Sequence, residues 1–408
     1  MFEGEKISDA NTFEGKIDEN KDMMLEINIA EAPMFTFSKN KKKLLVKDLL
    51  ENDAVTTEAK KIMQDIYDEN ENAKVDYRGW IDSKGFNREL IVASIKALPD
   101  SFTMDVFFGL MSLLIKINSP MFPDDKGLFH FKTNEVSFSF NQLCKEMDIS
   151  PGSTTYERIE KALGKLFSVE YYSIASGSIY EKSKENYISK RKAIKVINSY
   201  TISERTKNER TGKMQFYKGK AKFDDLIIDN LSLGFTRVIR SHQYFHLKSG
   251  IGRGLYLYLE ANRTSSKSYI KRSFDVLKNK IPVEFKYPSE LKTKLKKALN
   301  NMIELDIIKD YFYGDEILIN GVKEKCIYIV FKGSKNTLIK TLSKKSINTK
   351  GNTKNLLESE YKLEFPNDIK AELINFGINP KKTSEILHKY SKWKIAEYIL
   401  WIKDGLSK

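Results

Sequence analysis

A chain of 408 residues, 41% hydrophobic and 30% charged, has the size for two or three soluble domains with ordinary cores, and with only Cys144 and Cys326 it is no disulfide scaffold but fits a reduced cytoplasm. Its 69 basic and 55 acidic residues leave a net charge of +14, which favours a polyanionic partner. No run of about 18 apolar residues is evident and the opening MFEGEKISDANTFEG has early acids and no apolar stretch, so neither a membrane span nor a secretory leader is expected.

Residues 1–32 hold nine acids against three bases and read as a mobile acidic arm. Ala32–Ser38 is a short apolar anchor, and the basic run Lys39–Lys43 closes a segment assigned to 1–43. Residues 44–97 mix helix and strand signals and take no firm assignment. Phe102–Asn118 is apolar on nearly all sides, as a buried helix would be. Val136–Phe138 alternates as a short strand, and Ser139–Met147 places Phe140, Leu143, Cys144 and Met147 on one helix face. The turn Ser150-Pro151-Gly152-Ser153 supplies a helix start, and Thr154–Phe167 follows with Ile159, Ala162, Leu163 and Leu166 at core spacing. Val169–Ser173 and Ile194–Ile202 are β-rich, with a polar, basic stretch between them. Helices followed by a β-hairpin are the order of a winged helix-turn-helix.

The order then returns. Gly254–Arg263 matches Gly109–Asn118, Ser273–Ile281 matches Ser139–Met147, and Ala298–Ile308 matches Ala162–Tyr172, at offsets of 145, 134 and 136 residues. A second hairpin follows, Lys309–Ile317 and Lys325–Phe331, around the turn pair Asn320-Gly321. The expected fold is α+β: two tandem winged helix-turn-helix domains and a small C-terminal helical module. The first domain takes 44–235, with an N-terminal extension, and the second 236–332. Residues 333–359, with six lysines and one acid, read as a flexible linker, and 360–408 as the helical module carrying Trp393 and Trp401.

A winged helix lays its second motif helix in the major groove and touches the backbone with its wing. The candidate DNA contacts follow from that placement. Thr154, Thr155 and Tyr156 stand at the start of the first such helix, and Arg158, Lys161 and Lys165 at i, i+3, i+7 along it. Lys292, Lys294, Lys296 and Lys297 fall outside the Leu291, Leu295, Leu299 and Met302 stripe of the second. Lys182, Lys184, Lys190, Arg191 and Lys192 are the candidate wing cations of the first domain. Arginine can read guanine bidentately whereas lysine more often meets phosphate, so Arg158 is expected to carry the most sequence information.

Signals for catalysis are weak. His242 and His246 have an H-x3-H spacing, with no H-E-x-x-H, cysteine pair or carboxylate cluster beside it, so no metal is expected. No phosphate-binding G-x4-G-K-[ST] motif occurs, and Gly250-Ile251-Gly252-Arg253-Gly254 reads as a close-packed helix entry. No His-x-His accompanies a candidate nicking tyrosine. The expectation is a protein that is not an enzyme and needs no cofactor.

Several segments, in order, resemble the plasmid replication initiator protein A family. They are Glu31–Lys39 (EAPMFTFSK), Asp105–Phe108, Tyr156–Leu163 (YERIEKAL), Tyr244–Lys248 with Gly254–Ala261, and Ser273–Leu277 with Lys280. Gly254 stands where that family has one of two paired arginines, and Asn262-Arg263 replaces a basic-histidine ending. The resemblance implies an initiator that binds repeated duplex sites at a replication origin, helps open the adjacent duplex and recruits a host helicase or initiator protein. It would be cytoplasmic, neither hydrolysing nucleotide nor cutting DNA, and able to form a homodimer. A winged-helix transcriptional regulator is the alternative, and a nickase or primase a more distant one.

Overall fold

The computed structural model describes residues 17, 18, 21–37, 46–53, 55–81, 86–188, 193–203, 218–263, 267–281, 288–317 and 323–339, with single positions at 373, 374, 379, 382 and 383. The chain divides into two compact units, Met1–Lys335 and Asn336–Lys408. Almost all described residues belong to the first. Apart from those single positions, the C-terminal module lies outside the described residues, as does most of the expected linker. Residues 335–339, at the start of that linker, are helical.

The acidic arm is corrected over its last part, 22–31; residues 1–16 and 19–20 lie outside the described residues. β1 (Asp22–Glu26) is buried at all five positions and α1 (Ile27–Glu31) at four. Asp22 bonds Arg240 at 2.6 Å, and Glu31 takes Lys280 at 2.8 Å. Glu26 is wholly buried and accepts from the side chains of Asn28 and Asn230, each at 2.7 Å. Burial pushes its carboxyl up to about 8. Asp22, Glu26 and Glu31 are therefore internal ties, matched to Arg240, Asn230 and Lys280.

α2 (Val46–Leu50), α3 (Thr57–Glu69), β2 (Lys74–Ile81) and β3 (Asn87–Ser94) occupy the segment that carried no firm assignment. Next come α4 (Ser101–Asn118), β4 (Glu135–Ser139), α5 (Phe140–Glu146), α6 (Ser153–Ser168) and β5 (Val169–Ala175). β5 pairs with β3, giving a sheet of order β2-β3-β5. It is not a wing strand, as the sequence suggested: β3 is buried at seven of eight positions and needs a partner on each side. The short ribbon β6 (Ile179–Glu181) and β7 (Asn186–Ile188) follows, then β8 (Ile197–Ile202) and β9 (Lys218–Phe223).

α7 (Asp225–Ser232), β10 (Thr236–Arg240) and α8 (Ser241–His246) lead to the second half. β10 pairs antiparallel with β1, drawing the N-terminal segment across the molecule. α9 (Gly250–Asn262), β11 (Tyr269–Ser273), α10 (Phe274–Lys280), α11 (Pro288–Glu304), β12 (Asp310–Ile317) and β13 (Lys323–Val330) complete the unit.

The repeat read from the sequence reappears as structure. α4, β4, α5, α6, β8 and β9 correspond in order to α9, β11, α10, α11, β12 and β13. Both sheets are antiparallel with the first strand beside the last and the middle strand outside, β4-β9-β8 and β11-β13-β12. The same device ends each first strand: Ser139 caps α5 through the Gln142 amide, and Ser273 caps α10 through that of Val276.

α4 is the central helix, with fourteen of its eighteen residues buried. By length and composition it would suffice to cross a membrane, yet it is the core of the unit, the buried helix expected from its apolar run. Asp105 of α4 receives the Tyr244 hydroxyl at 3.1 Å and is paired with Arg253 of α9, joining the two repeats through a buried ion pair. Burial pushes the Asp105 carboxyl up to about 6, against the lowering pull of Arg253. The glycine-rich entry of α9 serves close packing: a Cβ at Gly254 would stand 2.6 Å from the Phe37 ring, and one at Gly250 2.4 Å from Ser101.

Candidate nucleic-acid interface

In the first repeat, Ile159, Leu163 and Leu166 anchor α6 to the core, and its opposite side meets solvent. Thr154, Arg158 and Lys161 are exposed; Thr155, Tyr156 and Lys165 are half-buried. The expected face is not uniform. Lys161 points away from the core stripe. Arg158 lies to one flank, its guanidinium carbon 4.0 Å from the centre of the Phe102 ring. Lys165, on the same flank, bonds Asp100 at 2.5 Å, and Asp100 also caps α4 through the Thr103 amide. Lys165 therefore acts as a structural tie between α6 and α4. Tyr156 packs edge-on against Phe140 at 5.7 Å, and Thr155 donates its hydroxyl to the Ser150 carbonyl. These two side chains are committed within the fold. The N-cap of α6 is Gly152, with no side-chain hydrogen bond, so no serine caps this helix as the turn had suggested.

The β-ribbon beside α6 is β8–β9, and the residues between its strands, 204–217, lie outside the described residues. Its cations were missed in the sequence. Lys218, Lys220 and Lys222 alternate with buried Gly219, Ala221 and Phe223, and the signal was available as the strict period-2 pattern KGKAKF. Lys190, Arg191 and Lys192, read as wing residues, lie outside the described residues. Lys182 and Lys184 sit in a 3-10 turn between β6 and β7, paired with Glu185 and Glu181 at 3.3 and 2.7 Å. That turn belongs to a separate small ribbon, so these two lysines are not on the β8–β9 ribbon.

Lys96 is a second missed cation. It follows β3, is exposed, and reaches across α6 at Gly164, where a Cβ would stand 3.0 Å from its Nζ and 3.6 Å from the Tyr200 hydroxyl. The absence of a side chain at 164 lets an ammonium from another element lie on the helix. Close by, Phe167 is 38% exposed, meets the Tyr200 ring at 5.5 Å and has the Lys195 Nζ 5.4 Å above it. Nothing in a linear reading linked Lys96 to α6, because the contact bridges 68 positions (164 − 96 = 68).

In the second repeat, Leu291, Leu295, Ala298, Leu299 and Met302 are the buried stripe of α11, as expected. Lys292, Lys296 and Lys297 are exposed, while Lys294 is half-buried on a flank. Lys292 holds its Nζ 4.5 Å over the Tyr313 ring of β12. Tyr311 donates to Asn300, tying ribbon to helix at 2.9 Å. Lys296 and Lys297 are thus the outward pair. The His246 Nδ1 faces the His242 carbonyl at 2.8 Å, and its Nε2 lies 3.5 Å from Asp148. Both cysteines are buried and neither is in a disulfide.

Each repeat therefore presents a helix with exposed cations next to a β-ribbon: on α11 they form a basic face, whereas on α6 Arg158 and Lys161 are interleaved with exposed Glu157 and Glu160. Such a pairing suits a groove lined by phosphates, since ammonium and guanidinium groups sit on two elements at different heights.

No family model matches the sequence, and no curated protein matches it. Among solved structures the chain is similar to a selenomethionine derivative of domains 2 and 3 of RctB, at 12% identity over 64% of this chain and 92% of that chain, with a TM-score of 0.41. It is also similar to the Pi initiator protein in complex with iteron DNA, at 16% identity over 60% of this chain and 98% of that chain, with a TM-score of 0.40.

Proposed function

We propose that this protein is a replication initiator of the plasmid type that binds repeated duplex sites at an origin through two tandem winged helix-turn-helix domains. The observation that carries the reading is the repeated arrangement: three helices and a sheet whose strands run first, last, middle, occurring twice, each with exposed cations on the second motif helix. In a winged helix that helix enters the major groove and the ribbon meets the backbone. α6 would read one half of a site and α11 the other. Arg158 and Lys161 from α6 and Lys296 and Lys297 from α11 are the groove-facing candidates, with Lys218 and Lys220 on the ribbon. The net charge of +14 supplies the sequence-independent attraction.

The replication role rests on the resemblance of the ordered segments, from Glu31 to Lys280, to the plasmid initiator family. On this reading the protein acts by binding, opens the adjacent duplex by holding its neighbour, and recruits a host helicase or initiator protein in the cytoplasm. A homodimer on paired repeats belongs to the same proposal. It has no catalytic centre of its own and uses no cofactor.

The test is transformation with the gene and its flanking DNA on a marker that cannot replicate alone. Autonomous replication is the expected result. Specific duplex binding in gel shifts without replication would place the protein among transcriptional regulators instead.

A further inference from the structure

A cleft of about 390 Å³ opens in the second repeat between the start of α10, the first turns of α11 and the β12–β13 ribbon. Phe274 and Tyr313 wall it, with ring centres 5.8 Å apart and edge-on. Ser289, Lys292 and Lys325 also line it, and both lysines are exposed.

The first repeat shows what this place looks like when closed. Phe140 holds the position of Phe274, 134 residues earlier, the offset that relates Ser139 to Ser273. Tyr156 holds the position of Lys292, 136 residues earlier, the offset that relates Ala162 to Ala298. There the Tyr156 ring lies edge-on against Phe140 at 5.7 Å, and Phe140 is fully buried. In the second repeat a lysine replaces that tyrosine, swings its ammonium over Tyr313, and leaves Phe274 partly uncovered. The exchange turns an aromatic plug into an open, aromatic-walled and cationic recess.

We propose that this cleft holds one unpaired nucleotide, its base against the Phe274 and Tyr313 rings and its phosphate between Lys292 and Lys325. Aromatic faces accept any base once it leaves the stack, and ammonium groups at the rim answer the phosphate charge. A paired duplex cannot supply such a unit, because its bases are already stacked and hydrogen-bonded. The nucleoside monophosphate moiety can come from an unpaired DNA strand or from a free mononucleotide. The proposal extends the duplex-binding reading: the second repeat would hold a strand that has come apart beside the site.

The experiment uses the full chain and a fluorescein-labelled single strand of fifteen thymidines, read by anisotropy at fixed salt. Lys292→Tyr, which restores the plug of the first repeat, should weaken strand binding about tenfold, as expected for loss of base stacking with a phosphate contact. Lys325→Ala should weaken it about threefold without touching the core. Lys309→Ala, the same charge change at an exposed site away from the cleft, should alter it by less than about twofold. Thymidine 5′-monophosphate that displaces the strand assigns the cleft to the free nucleotide as well; no displacement, with the variant effects intact, assigns it to the strand. Equal weakening by Lys325→Ala and Lys309→Ala, or no effect of Lys292→Tyr on strand binding, overturns the proposal. Gel shifts of repeat duplex run in parallel keep the two readings apart. Duplex binding with cleft-independent strand binding sinks the cleft alone, and wild-type protein that ignores every repeat sinks the duplex reading while the strand arm still decides the cleft.

Discussion

The two repeats share a strand order, a serine cap and a lysine-bearing helix, yet they use matched positions differently. At the middle of the helix, the first repeat has Gly164 with Lys96 laid across it, and the second has Asn300 bonded to Tyr311. At the head of the helix, the first has Tyr156 sealed onto Phe140 and the second has Lys292 over Tyr313. Duplication preserved the buried stripe, where any change of volume leaves a void or a clash. It left the solvent side free to diverge, because exposed positions carry little packing energy. Function is therefore to be sought where the repeats differ on the outside, and stability where they agree on the inside.

The joint between the repeats should give the largest effect. Arg253→Ala leaves the Asp105 carboxylate buried without its cation, and should cost about 3–5 kcal/mol in urea unfolding. The pH dependence has a definite sign. The Asp105 carboxyl is raised from 3.8 to about 6, so its contribution to stability is full below about 3.8 and is lost as pH rises through 6. With Arg253 removed, that loss should extend to higher pH. An unfolding midpoint that does not move in Arg253→Ala would show that the repeats do not depend on this pair.

Next in size are the equivalent core leucines. Leu163 and Leu299, 136 residues apart, are both fully buried, and each change to alanine should cost about 2–5 kcal/mol. If residues up to 335 form one cooperative unit, both variants shift one common transition. Two transitions, each moved by only one variant, would show that the repeats unfold separately.

Arg158→Ala should cost about 1–3 kcal/mol on a specific site and relax discrimination at one base step. Lys296→Ala should instead weaken specific and random duplex about equally. Matching behaviour of the two in gel shifts would break the assignment of reading to the first repeat and positioning to the second.

Gly164→Asn makes the first repeat resemble the second. It should displace Lys96 and weaken duplex binding by roughly threefold while leaving the fold intact, as circular dichroism would report. The smallest change expected is in the salt dependence. Lys220→Ala removes one ribbon cation, and the slope of log affinity against log salt should fall by about 0.9 if that cation meets a phosphate. An unchanged slope takes the β8–β9 ribbon off the DNA.

The amino-acid sequence by itself determined the repeat and its core. The apolar stripes of α4, α6 and α11 and the serine starts of α5 and α10 were legible, because buried helix faces and local caps are set within a few residues of each other. The KGKAKF alternation of β9 was equally legible and passed unread. Partners separated by tens or hundreds of positions were decided only by the tertiary structure. Residues 22–31 carry the charge of a tail, yet they are buried because β10, α9 and α10 bring Arg240, Asn262 and Lys280 to those acids. Val169–Ser173 reads as a wing strand, but joins β3, whose two buried faces require a second neighbour. On the candidate interface the same division holds. Helical spacing placed Arg158 and Lys161 at the surface, whereas only the packing of α4 against α6 turned Lys165 into a tie to Asp100, and only the fold laid Lys96 over Gly164. A charge pattern says which side chains want water or a counter-ion. Which counter-ion they meet, a carboxylate of the same chain or a phosphate of another molecule, follows from what the folded backbone sets within about 4 Å of them.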